Sequence, residues 1–190
     1  MILLESNLRN APVMGIQTGY KLAVVKNPII DPSKLTVVAY LLDGSLLASK
    51  PALLSVLDIR EISNIGVIVD SSDEFIAPED VVKIHKVYEQ NFNLVGMNVV
   101  NERNKKLGKV IDFTIDTGGF VIQQLTVKRP LLTSLNDTEL LIHRSQIYEI
   151  NNDAIVVHGE AKAPEPELSD VVGSYVNPFR TRKSPSPGSD

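Results

Sequence analysis

The chain contains no cysteine and no tryptophan among its 190 residues. Disulfides, thiolate nucleophiles and cysteine-ligated zinc or iron–sulfur centres are therefore excluded, and the composition fits a reducing compartment. Aromatic residues make up only 5%, too few for the stacking platforms that hold single-stranded nucleic acid. Long apolar runs are also missing. The opening MILLESNLRN has three apolar residues after the Met, well short of a signal-peptide core or a membrane span. The expected location is the cytoplasm without membrane insertion, and the sequon Asn136-Asp137-Thr138 is read as accidental. A strong positive balance is absent too: the net charge is −4, unlike the basic footprint of a general nucleic-acid binder. Residues 1–80 hold 10 acids and 6 bases, whereas residues 81–160 hold 9 of each, so the second half is relatively the more basic.

What the chain does have is an internal repeat, the signal to seek first. Offset by 85, residues 21–49 match residues 106–134 with 8 identities in 29 positions. Lys21, Leu22, Val25, Ile30 and Asp31 recur as Lys106, Leu107, Val110, Ile115 and Asp116. Leu46, Leu47 and Ser49 recur as Leu131, Leu132 and Ser134. At an offset of 88 the match resumes, DIREISNIGVIVD (58–70) lying on QIYEINNDAIVVH (146–158). The three extra residues of the second copy fall in KRPLLTSLNDTE, which marks a surface loop.

Each copy reads as five or six short strands separated by turn residues, the spacing of a small barrel. KVIDFTID and FVIQQLTV form a hairpin across DTGG, with Gly118 and Gly119 expected to supply positive φ. Between the copies, APEDVVKIHKVYEQNFN (77–93) has Pro78 and two acids at a helix start. Apolar residues Val81, Ile84, Val87 and Tyr88 follow at helical spacing. A linking helix of about three turns is expected. After Gly159 the chain becomes rich in Pro, Ser and charge, which predicts a disordered tail over 161–190. The expected fold class is all-β: repeat 1 over 1–76, the linking helix over 77–93, repeat 2 over 94–160, then the tail.

LVGM (94–97), KLGKVIDFTID, FVIQQLTV and LLIHRSQIYEINNDAIVVH, in this order, resemble a PRC-barrel domain. YKLAVVKNPIID, LTVVAYLL and LLSVLDIREISNIGVIVD repeat the plan, with Ala23 where the second copy has Gly108. The resemblance covers roughly residues 11–160 and points to a stand-alone bacterial tandem PRC-barrel protein. The family includes the cytoplasmic part of the photosynthetic reaction-centre H subunit and the C-terminal domain of the ribosome maturation factor RimM. Both use the barrel as a docking module without catalysis, so the resemblance implies a non-enzymatic adaptor that binds a protein partner. A ribosome- or RNA-associated maturation factor is the alternative, and homo-oligomer formation is left open.

The residues are consistent with that reading. A phosphate loop requires GxxxxGK[ST] running into a helix, but Lys109 is followed by Val110 and a strand. No HxH, HExxH or GxSxG motif organises His85, His143, His158 or any serine, so no catalytic residue, metal or cofactor is expected. The paired leucines Leu46, Leu47, Leu131 and Leu132 occupy equivalent loops, where they either plug a barrel end or face a partner. In the tail, Tyr175, Phe179, Arg180 and Arg182 have the aromatic–arginine composition of a binding motif. Arg103, Lys105, Lys106 and Lys109 form a basic cluster that, with Lys128 and Arg129, is a candidate RNA or phosphate contact. Glu102, Asp112 and Asp116 lie near it in sequence and are expected to dilute it.

Overall fold

Apolar residues at period two set the strands, and departures from that period set the bulges. The computed structural model describes residues 1–45, 47–130, 139–151 and 153–158. Its first half runs through β1 (Ile2–Leu4), β2 (Pro12–Gly15), β3 (Lys21–Asp31), β4 (Thr36–Asp43), β5 (Ala52–Ser55), β6 (Glu61–Ser63), β7 (Gly66–Val69) and β8 (Phe75–Ile76). A short helix, α1 (Val82–Tyr88), leads to the second half. There follow β9 (Asn98–Asn101), β10 (Lys106–Asp116), β11 (Val121–Lys128), β12 (Glu139–His143), β13 (Ile147–Ile150) and β14 (Ala154–Val157). The protein is mainly β, in one hydrogen-bonded sheet system.

Each half curls into a barrel-like unit. In the second, hydrogen bonding runs β13–β14–β9–β10–β11–β12, and a 3-10 turn at Arg144–Gln146 carries β12 into β13. In the first, the run is β6–β7–β2–β3–β4–β5, with a 3-10 turn at Val56–Asp58 joining β5 to β6. Unpaired strand edges invite association with other chains; curling the sheet leaves few of them.

The sequence repeat is reproduced pair by pair. Val25↔Leu42 in β3–β4 becomes Val110↔Val127 in β10–β11, both members moved by 85. Tyr40↔Leu54 becomes Leu125↔Ile142, moved by 85 and 88. The parallel contact Val13↔Val67 of β2–β7 becomes Val99↔Ile155 of β9–β14. The bulges recur as well. Val110 and Phe113 are three residues apart yet both buried, because an extra residue, Ile111, shifts the pleat between them.

The two units are fused rather than strung together. Thr36 of β4 pairs with Val121 of β11, its own repeat mate. On either side the Val37 amide donates to the Phe120 carbonyl and the Ile122 amide to the Leu35 carbonyl, each at 2.9 Å. Every contact is matched by its mate, the pattern of an isologous interface folded into one chain. A single hydrophobic core spans both units.

Three expectations are corrected. The glycines of DTGG do not carry the positive φ of the turn; Phe120 does (51°), and so does its mate Leu35 (51°). Asp31 and Asp116 accept from the amides of Ser33 and Gly118 two residues on, which closes each turn and leaves the next position to absorb the strain. Burial and the seam hydrogen bonds then hold both large residues there. The linking helix is also shorter than three turns: Pro78–Asp80 forms a 3-10 turn, Val81 is extended, and only Val82–Tyr88 is α-helical. Nor is it a plain connector, because Ile84 packs with Ala39 and Leu53 on the outer face of the first unit. Finally, β1 does not pair within repeat 1 but lies on β10, with Ile2 opposite Asp116.

The tail 161–190, with Tyr175, Phe179, Arg180 and Arg182, and the loop residues Leu46, Leu131 and Leu132 lie outside the described residues. Among those described, no helix is long and apolar enough to cross a membrane.

Candidate functional site

The bulge that points Val110 and Phe113 inward also turns Ile111 outward, 39% exposed. Beside it, β10 and β11 place Lys109 directly opposite Lys128. Like charges facing each other across a ladder are destabilising, and Arg129 follows immediately. Together with Lys106 these residues line a largely apolar hollow of about 600 Å³, to which Val95 and Ile111 also contribute. Among the described residues, none of the four cations lies in an ion pair.

Of the nearby acids, Glu139 of β12 stands directly opposite Lys128, and the other three are engaged elsewhere. Asp112 accepts from the Ser6 hydroxyl at 2.6 Å. Asp116 takes the terminal amine of Met1 at 3.4 Å, and Glu102 pairs with His158. Gly108 sets the hollow's edge, since a Cβ there would stand 2.2 Å from the Lys128 carbonyl oxygen.

The first unit provides an internal control. The mates of Lys109 and Lys128 are Val24 and Asp43, and the mate of Ile111 is Lys26, whose Nζ lies 3.4 Å from Asp43. The equivalent place is therefore internally neutralised, and only the second unit has the cationic rim.

The structure divides the basic cluster read from the sequence. Lys106 and Lys109 join Lys128 and Arg129 at the hollow. Arg103 and Lys105 do not line it: their amides both donate to Asn101 Oδ1, at 3.0 and 2.9 Å, within the β9–β10 turn. Leu47 is half-buried and packs against the core, as a plug would, so it is no exposed patch. The more exposed apolar side chains lie elsewhere, Leu57 at 88% and Tyr20 at 75%. No pairing signal in the sequence marks them, because they sit on turns outside the repeated apolar positions.

A second hollow of about 540 Å³ is lined from both units, with the repeat mates Pro28 and Phe113 and the guanidinium of Arg9. Arg9 Nη2 donates to Glu5 Oε2 at 3.0 Å. Glu5 is fully buried. Burial raises its carboxyl above the usual range; Arg9 pulls the other way and Asp112 adds to the rise. Among the described residues, Glu5 Oε1 and the buried Tyr40 hydroxyl have no hydrogen-bond partner. Burial, and secondarily Glu5, push the Tyr40 hydroxyl's pKa upward.

Of the chemistry available, the Ser145–His143 contact at 2.8 Å is a local cap. Nδ1 of the histidine also accepts from the Ser145 amide at the start of the 3-10 turn. Among the described residues no three His, Asp or Glu side chains gather with metal-binding geometry.

Comparison with known proteins adds one match: residues 89–163 are similar to the PRC-barrel domain. The match begins just after α1 and takes in every strand of the second unit. Against curated proteins the chain finds no match.

Proposed function

We propose that the chain is a non-enzymatic interaction module built of two PRC-type barrels, and that it docks a protein partner through the hollow of the second. The likeness of residues 89–163 to the PRC-barrel domain supports the barrel reading of the second unit. The registered repeat of strand pairs extends it to the first. One observation carries the docking reading: Lys106, Lys109, Lys128 and Arg129 line an apolar hollow and, among the described residues, lie in no ion pair. Such cations favour a segment bearing carboxylates, and such a hollow favours one bearing an apolar side chain as well.

The test is affinity capture with the intact protein and with a K106E/K109E/K128E variant as baits, the fold of both checked by circular dichroism. A protein partner retained by the intact bait and lost by the variant is the expected result. Capture of the same proteins by both baits, or of none, would overturn the reading.

A ribosome- or RNA-associated role is the second reading, favoured by the four cations of the rim. It leaves the apolar lining without a purpose, since phosphate backbones bind through charge. Sedimentation of lysate through sucrose at low salt separates the two. Co-migration with ribosomal particles that the charge reversal abolishes supports the second reading, and its absence removes it.

A further inference from the structure

The same hollow fits a ligand that the chain itself carries. We propose that residues 163–170, APEPELSD, dock in the Lys106–Lys109–Lys128–Arg129 hollow of the same molecule as an internal ligand. The proposal rests on the reading that the hollow takes an acidic segment with an apolar side chain.

Three observations support it. The first is charge. Residues 163–170 contain Glu165, Glu167 and Asp170 and no base, against four cations that lie in no ion pair among the described residues, with Glu139 in register opposite Lys128. The second is side-chain pattern. Leu168 stands between Glu167 and Asp170, so an apolar group can lie on Val95 and Ile111 while its neighbours meet the cations. Pro164 and Pro166 favour an extended backbone, which lowers the entropy lost on docking.

The third is reach. β14 delivers the chain next to the site: Val156 pairs with Val100 of β9, which pairs with Lys106 of β10. Two strand spacings separate Val156 from Lys106, about 10 Å. Leu168 lies 11 residues beyond Val157, a span of about 36 Å when extended. The segment therefore reaches the hollow with slack. The basic stretch RTRK at 180–183 has the wrong sign for the rim. In the first unit the mate of Lys128, Asp43, already lies against Lys26, so the equivalent place there does not offer the same charge.

A chain without cysteine accepts a single label. A nitroxide on S169C, in the full-length protein, is expected to halve or further reduce the NMR amide intensities of Lys106, Lys109 and Ile111 by paramagnetic broadening. The signals should recover in about 0.5 M sodium chloride, where screening is a few ångström in range. They should also recover when E165Q, E167Q and D170N are added. No broadening, broadening on another face, or broadening that grows with protein concentration overturns the proposal; the last makes a second copy's segment the occupant. A synthetic APEPELSD peptide, added to the E165Q/E167Q/D170N protein, separates the two readings. Peptide shifts at Lys109 without label contact in the intact chain overturn the internal ligand and leave docking standing. Absence of both overturns docking as well.

Discussion

Glu5 shows what a single side chain costs at the junction of two units. Its carboxyl is buried, has one oxygen on Arg9 and, among the described residues, leaves the other unpaired. Its raised pKa means that the folded protein holds the proton more tightly than the unfolded chain, whose value is near 4.5. Stability from this group is therefore present below that value and lost as pH rises through the folded pKa. The variant E5Q keeps an acceptor for Arg9 and removes the buried charge. Its melting temperature should match or exceed the parent's by a few degrees at pH 7, and the advantage should vanish near pH 4. A large loss at pH 7 that disappears near pH 4 would mean that the Arg9 ion pair outweighs burial. At the same scale the repeat exchanges its glycines. Gly108 has Ala23 as its mate, whereas Gly66, whose Cβ would stand 2.2 Å from the Pro12 carbonyl oxygen, has Ala154. Each unit thus brings two strands into close approach, but at different joints. Sequence alone identifies Gly108 as structural, but not which carbonyl it admits.

At the scale of elements, α1 explains why the units differ on the outside while agreeing within. Inward residues are apolar in both: Val37 and Ile122, Leu42 and Val127, Val67 and Ile155. Where the helix covers it, the outward face of the first unit is apolar. Ile29, Ala39 and Leu41 of the first unit correspond to Thr114, Gln124 and Thr126 of the second. Ile84 anchors the helix in that patch, and I84A should cost about 2–3 kcal/mol in urea unfolding, within the range for buried isoleucine. Exposed Val82 is the control, and V82A should stay within about 0.5 kcal/mol. The helix was legible from Pro78 and the apolar spacing; its length was not, because extended Val81 interrupts it before its first α-helical residue. The hollow was half legible. Lys106 and Lys109 stand together in the sequence, but Lys128 and Arg129 join them only through the β10–β11 register. The same folding carries Asp112 away to Ser6.

For the whole molecule, one core and a shared sheet predict one unfolding transition. Urea melts followed by far-ultraviolet circular dichroism and by tyrosine absorbance should coincide. Two separated midpoints would show that the seam at Thr36 and Val121 couples the units weakly. Duplication was legible in the offsets of 85 and 88, and with it the mainly-β class. The seam was not, because nothing in the pattern of Leu35, Thr36 and their mates distinguishes an edge that meets solvent from one that meets its own copy. That seam has a consequence for binding. Two identical units joined about such an axis would present the cationic hollow twice and hold a partner by avidity. With both halves in one chain, Lys26 lies against Asp43 in the first unit while the second keeps its cations, so the proposed docking would use one site per chain and the two faces are free to evolve apart.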